Sequence, residues 1–262
     1  MTRVKFIVSY DGTDFCGWQK QREHACASPK PSIQETIEQG LVKIFNEPIR
    51  LFASGRTDSG VHAQAQVCHF DTSRTSLPKD LSWALRSKLP ASIVIKKAWV
   101  APEDFHATLS AVRKTYRYWI WNSPTPTAML ARYSYWIRQP LDLEYLQSVA
   151  DKLVGNQDFK SFQSVGTSVK HTVREIYSAR WTQKKGSLIQ FEVTGSGFLK
   201  QMVRNLVGTQ VDLFLRQQSP EKIQEILAAQ DRRVAGPTAP PQGLFLWKVY
   251  YPKELDNRCR QI

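Results

Sequence analysis

Val4, Phe6, Val8 and Tyr10 alternate with polar or smaller neighbours, the period-2 pattern of a half-buried strand. The pattern then becomes helical. Ser32-Ile33-Gln34-Glu35 reads as a capping box, and Ile33, Ile37, Leu41 and Ile44 fall on one face of the helix it opens. Pro48 follows, then a short strand at 49–53, a polar loop, and a strand at 63–70. Pro78 opens a second helix with Leu81 and Leu85 inward, and residues 92–100 read as a fourth strand. The first hundred residues are thus expected to run βαββαβ.

The second half repeats this theme with longer connections. Strands are expected at 115–121, 133–138, Val173–Gln183 and 188–194, with helices at 142–154 and 198–215. Ser219-Pro220 has the form of an N-cap followed by N1 of a further short helix. A Pro-rich loop at 236–243 leads into a last strand at 244–251. Two such split-βαβ halves (ferredoxin- or RRM-like) make an α+β protein with mostly antiparallel sheets. The division expected is 1–107 and 108–262. Residues 20–31 read as a polar surface loop.

At 262 residues, 42% hydrophobic and 23% charged, the chain has an ordinary globular composition and enough length for a sizeable core. Its charge changes the picture. Thirty-six basic against 23 acidic residues give +13, a field that favours a polyanion. The basic residues are dispersed, and no apolar run reaches the length of a membrane span, so nucleic acid is favoured over a membrane surface. The start, Met1-Thr2-Arg3-Val4-Lys5-Phe6, lacks the apolar core of a signal peptide. Cys16, Cys26, Cys68 and Cys259 form no C-x-x-C pair, and Cys68 and His69 are neighbours that a strand would point to opposite faces. Free thiols in a cytoplasmic protein without a structural metal are therefore expected.

The most informative window is Ala53-Ser54-Gly55-Arg56-Thr57-Asp58-Ser59-Gly60-Val61-His62-Ala63. It sets one carboxylate between two glycines, beside an arginine, at the entrance to a strand, where functional side chains often lie. The same residues also suit a plain Asx-turn. Elsewhere Tyr116 alternates with Tyr118 and Ile120 and can be a core aromatic. On a helix Arg204 falls to one side of Leu199, Val203, Leu206 and Gln210, which suits a solvated arginine. Yet Gly208 leaves the surface beside it bare, and Gly195-Ser196-Gly197 permits close approach to the helix start. That G-S-G is no dinucleotide fingerprint, because the third glycine and the following acid are missing.

These segments together resemble one family. Gly55-Arg56-Thr57-Asp58-Ser59-Gly60-Val61-His62 is similar to the signature of the TruA-type tRNA pseudouridine synthases. Further matching blocks come in the expected order: Tyr10-Asp11-Gly12-Thr13 with Gly17-Trp18-Gln19, Phe105-His106-Ala107, Tyr116-Arg117-Tyr118, Asp158-Phe159 with Ser161-Phe162, Gly195 to Leu199 with Met202-Val203-Arg204-Asn205, and Ala235 to Pro240. The resemblance covers nearly the whole chain.

It implies conversion of uridine to pseudouridine in the tRNA anticodon stem-loop, at positions 38, 39 and 40. It also implies two halves whose sheets meet at a central basic cleft, no cofactor, no metal, and a homodimer. By resemblance Asp58 is the essential catalytic residue, Arg204 its cationic partner, Arg56 a cleft residue filling the place of an extruded nucleotide, and Tyr116 the aromatic that meets the extruded base. His62 receives no catalytic role. The chain departs from the family pattern at Glu35, Thr108 and Gln163, the last two standing where arginine is usual. Arg113, Lys114 and Lys170 are the neighbours able to substitute for those cations.

Two other classes fit parts of the sequence. A non-catalytic RNA-binding module would show the aromatic RNP pattern on a strand. A base-releasing N-glycoside hydrolase would want a second carboxylate or a metal-bound water. Neither signal is found.

Overall fold

The computed structural model describes residues 1–20, 30–166 and 171–262. Cys26, Lys170 and most of the 20–31 loop lie outside the described residues. The described chain divides into two units, Met1–Val112 with Leu246–Ile262, and Arg113–Phe245.

The first unit begins as expected. β1 (Thr2–Tyr10) buries Val4, Phe6, Val8 and Tyr10. α1 (Ile33–Phe45) starts at the cap Ser32, whose hydroxyl accepts the Glu35 N–H at 3.2 Å. The Glu35 carboxylate faces Lys20 at 3.6 Å. Ile33, Ile37 and Leu41 are buried, but Phe45 rather than Ile44 completes the apolar stripe. β2 (Phe52–Ala53) and β3 (His62–Thr72) follow. α2 (Leu81–Arg86) begins after Pro78, with Asp80 as its cap accepting the Trp83 N–H at 3.0 Å. β4 (Ile93–Ala101) completes the run. The strand order is β4-β1-β3, with β2 on β3, all antiparallel.

The second unit contains β5 (Arg113–Asn122), β6 (Tyr135–Ile137), α3 (Leu143–Asp151), β7 (Gly155–Asp158), β8 (Val173–Gln183), β9 (Leu188–Gly195), α4 (Met202–Leu215) and α5 (Lys222–Ala229). Its sheet runs β5-β9-β8-β7 antiparallel, with β6 parallel to β5. Periodicity gave no sign of the polar β7, because its residues Gly-Asn-Gln-Asp carry no alternation. α4 starts four residues later than expected: Gln201 takes a left-handed backbone, and Phe198 turns aside to set its ring edge-on to Tyr116. α5 starts at Lys222, two residues after Pro220, with the Ser219 carbonyl accepting the Lys222 N–H.

β10 (Leu244–Tyr250) carries the chain back to the first unit, where α6 (Lys253–Asn257) and β11 (Arg260–Gln261) end it. The division thus falls after Val112, and residues 246–262 join the first unit instead of the second. The reason lies in specific contacts. β11 pairs with β4, the Tyr251 hydroxyl donates to the Ala107 carbonyl at 2.7 Å, and Asp256 meets the nearly buried Lys5 ammonium at 2.5 Å. Lys5 also lies over the rings of Phe105 and Tyr251, about the distance at which a cation is attracted to a π-face. The protein is thus a mixed α/β chain whose strands pair mostly antiparallel. No helix among the described residues is long and apolar enough to cross a membrane.

Beside this return, His69 on β3 is buried and its Nδ1 accepts the Ala107 N–H at 3.1 Å. Burial, then the neighbouring charges of His106 and Arg3, hold its pKa down to about 4. The unfolded imidazole titrates near 6.5, so between about pH 6.5 and 4 the unfolded chain binds a proton that the folded chain refuses. Stability should therefore fall as pH drops through that window, by on the order of 2–3 kcal/mol from this residue. His69→Gln, which keeps an acceptor but cannot titrate, should flatten the dependence. Urea midpoints measured from pH 7 to 4 check this, and an equally steep loss in the variant would assign it to other groups.

Candidate active site

Asp58 lies in the loop 54–61 between β2 and β3, and the loop is tied at every second residue. The Ser54 N–H donates to the Val67 carbonyl at 2.8 Å, and the Gln66 amide donates to the Gly55 carbonyl at 2.6 Å. The Thr57 hydroxyl pairs with the Tyr10 hydroxyl at 2.8 Å, and the Thr57 carbonyl accepts the Trp18 N–H at 3.0 Å. The Ser59 hydroxyl donates to the Phe15 carbonyl at 3.0 Å. The Val61 N–H closes the turn on the Asp58 carbonyl at 3.2 Å. Asp58 is half-buried and Arg56 is exposed.

Three of these six ties reach the segment 10–18, and two glycines explain how it gets so close. A Cβ at Gly12 would lie 2.0 Å from the Val61 carbonyl oxygen. One at Gly17 would lie 2.9 Å from the Thr57 carbonyl and 3.2 Å from the Asp58 carbonyl carbon, and Gly17 also has φ +111°. The same segment fixes the start of α1, because the Gly17 and Trp18 carbonyls accept the Ile33 and Gln34 N–H groups. His62, fully buried, accepts the Gly12 N–H on Nδ1 at 3.1 Å. Its ring braces the loop.

Tyr116 and Arg204 belong to the second unit. Tyr116, on β5 opposite Val193, is buried on the helix-facing side of the sheet and meets the Phe198 ring edge-on at 5.0 Å between centroids. Tyr118, two residues on, donates its hydroxyl to the Pro240 carbonyl at 2.7 Å, and burial pushes its pKa well up. Arg204 is half-buried on the first turn of α4. Its Nε donates to the Ala239 carbonyl at 2.8 Å, and its own carbonyl accepts the Ala239 N–H at 3.1 Å. Gly208 does not leave open surface beside it. A Cβ there would lie 1.8 Å from the Pro237 carbonyl, so the 236–240 segment occupies that ground.

Asn205, which the sequence marks only as part of a matching block, pins the same segment from beneath. It is fully buried. Its Oδ1 accepts from the Thr238 hydroxyl at 2.6 Å and from Arg232 Nη2 at 3.2 Å, while its Nδ2 donates to the Phe162 carbonyl at 2.8 Å. Spacing alone carries no sign of this, since the partners are 27 to 43 residues away.

Among the departures, the Thr108 hydroxyl donates to the Ala53 carbonyl at 2.6 Å and so helps hold the entry to the Asp58 loop. Arg113 is 5.8 Å over the Tyr177 ring. Lys114 lies on the Tyr116 face of β5. Burial, then the like charge of Arg174, lower its pKa to about 8. Asp58 and Arg56 thus share one loop of the first unit, and Tyr116, Lys114 and Arg204 lie in the second.

The model of one family, described as tRNA pseudouridine synthase, matches residues 6–108 and 149–252. A protein of Bdellovibrio bacteriovorus named tRNA pseudouridine synthase A is 61% identical over 264 residues, covering 100% of this chain and 99% of its own length. Proteins of the same name from Brevibacillus brevis and Bacillus subtilis are 42% and 40% identical, covering 96% and 95% of this chain and 100% and 99% of their own.

If backbone contact at Gly12 is what orders the Asp58 loop, Gly12→Ala must displace it. Protection of the Trp18 and Val61 amides from hydrogen exchange should fall, with a stability loss of about 1–3 kcal/mol. Gly186→Ala is the control: its φ is +62° with nothing within 4 Å, so only backbone strain of about 1 kcal/mol applies and the two amides stay protected. Unchanged protection in Gly12→Ala would show that the loop is ordered by its other ties.

Proposed function

The chain belongs to the tRNA pseudouridine synthase family, and we propose that it converts uridine to pseudouridine at positions 38, 39 and 40 of the tRNA anticodon stem-loop, with Asp58 as the essential carboxylate. That it is an isomerase of uridine in tRNA follows from the family, and full-length identity of 61% to a named relative is the observation that carries it. The reaction breaks the N1–C1′ bond and joins C1′ to C5 of the same base. C5 loses its hydrogen and N1 gains one, so the product has the mass of the substrate.

What supports Asp58 is its setting. A half-buried carboxylate in a loop braced by the 10–18 segment is held in one place, and positioning of a reacting group contributes strongly to rate. A carboxylate there can attack the sugar or the base, or take up the sugar proton. Arg204 is read as its cationic partner, with its side chain already oriented by Ala239. Arg56, exposed on the same loop, is read as filling the place of the extruded nucleotide. Tyr116 is read as the aromatic surface for the extruded base. The net charge of +13 supports a basic cleft that grips RNA phosphates. The same reading takes the two units as split-βαβ halves bordering that cleft, and the working enzyme as a cytoplasmic homodimer that needs no cofactor.

Release of tritium from C5-labelled uridine in unmodified tRNA tests the reaction, together with the mass of the product. A hydrolase would release free uracil, and a binding module would leave the label in place. Asp58→Asn keeps shape and removes charge, so turnover should fall at least about 10³-fold, on the order of 4 kcal/mol at the barrier. Near-normal turnover in that folded variant would sink the assignment.

Tyr116→Ala should impair turnover far more than tRNA affinity, because phosphate contacts dominate binding. Equal losses in both, read by filter binding and tritium release, would make Tyr116 a packing residue only.

A further inference from the structure

Two cations at one end of the second unit's sheet, Lys114 and Arg174, take no part in the reaction as proposed above. Lys114 precedes Tyr116 by two residues on β5 and so shares its face. Opposite Lys114 on β9 is Gly195, and opposite Gly195 on β8 is Ile176. Arg174 precedes Ile176 by two residues and therefore returns to the same face. Beside it the chain leaves β9 through Ser196 and Gly197, where a Cβ would lie 3.7 Å from Arg174 Nε. The ground next to the guanidinium is thus bare backbone. Gly195 is bare for a different reason: a Cβ there would meet Ile176 at 2.9 Å and the Phe198 ring at 3.3 Å, the same ring that meets Tyr116.

Arg174 is held in place. Its Nη1 donates to the Val173 carbonyl at 2.6 Å and the His171 carbonyl at 3.1 Å, and lies 3.3 Å from His171 Nδ1. No carboxylate among the described residues forms an ion pair with it. Burial lowers its pKa, and burial together with Arg174 lowers that of Lys114 to about 8. Arg174 thus carries the cost of burial, and Lys114 that of burial and of the like charge beside it. A fixed guanidinium beside an ammonium over glycine backbone offsets that cost when an anion joins them, and a phosphate suits both cations.

We propose that Lys114 and Arg174, over the backbone of Gly195, Ser196 and Gly197, bind one phosphodiester group of the RNA beside Tyr116. This deepens the reading of the chain as an RNA-modifying enzyme and rests on it. The protein's excess of positive charge favours an RNA phosphate over a free anion, which shares the same chemistry.

The test measures binding of an unmodified tRNA transcript to the full chain between about 50 and 200 mM salt, for wild type, Arg174→Gln and Lys114→Gln. Each variant should bind more weakly at low salt. Its gap to wild type should narrow by about threefold across that range, the share of one phosphate contact. Arg174→Gln should not melt below wild type, because it removes a buried cation that the free protein holds with carbonyl acceptors. A gap that does not narrow in either variant overturns the assignment. So does a melting temperature several degrees lower in both, which would make the pair structural. A rise in melting temperature with inorganic phosphate, lost in the variants while their tRNA salt dependence stays that of wild type, would overturn the RNA assignment in favour of a free anion. Failure of the isomerase reading would show separately, as tRNA binding without tritium release.

Discussion

The approach of Gly12 to the Val61 carbonyl is the contact on which the presentation of Asp58 depends. The two backbones are so close that a methyl group would sit 2.0 Å from the oxygen, well inside any tolerated separation. With the approach made, the Tyr10 hydroxyl reaches Thr57, the Trp18 N–H reaches the Thr57 carbonyl and the Phe15 carbonyl reaches Ser59. The same short segment then caps the entry to α1 with its next two carbonyls. One polar loop is thereby joined to a helix end and to β1. No single bond in the set exceeds about 1 kcal/mol net, so their effect is to remove alternatives for the loop more than to stabilise the whole fold.

The second unit repeats the device with different partners. Gly208 lets the Pro237 carbonyl rest on α4, and reciprocal bonds between Arg204 and Ala239 follow from that contact. Here the support is a buried polar network. Asn205, Thr238 and Arg232 satisfy one another, and Asn205 also reaches the Phe162 carbonyl. In a low-dielectric interior such groups are costly when unpaired and directional when paired. A helix buried on nearly all sides can therefore still specify one position for the segment that crosses it. This accounts for the polar residues Asn205, Thr209 and Gln210 on a helix that periodicity alone would make amphipathic.

Charge is distributed on a different principle. Lys5 is nearly buried but compensated by Asp256 and three aromatic rings, and it anchors the returning C-terminal segment. Arg3 is compensated bidentately by Asp71 at 2.7 Å. Arg174 and Arg232 are held by neutral acceptors instead, and burial lowers the pKa of each. A cation so placed costs the isolated protein stability.

The sequence by itself determined the elements with strong periodicity and clear ends. β1, β3, α1 and β8 lie where alternation, the Ser32 cap and strand-forming residues put them, because those signals act within a few residues. It also determined the family, since the Gly55–His62 block and its companions are local strings. The rest was decided by tertiary structure. Where α4 begins depends on Phe198 finding Tyr116 some eighty residues earlier. Residues 246–262 join the first unit because Tyr251, Asp256 and β11 find Ala107, Lys5 and β4. Gly12 and Gly208 look like ordinary breaks until the carbonyls that press on them, 49 and 29 residues away, are in place. Each of these outcomes turns on contacts between distant parts of the chain, and such contacts leave no periodic mark in the sequence around either partner.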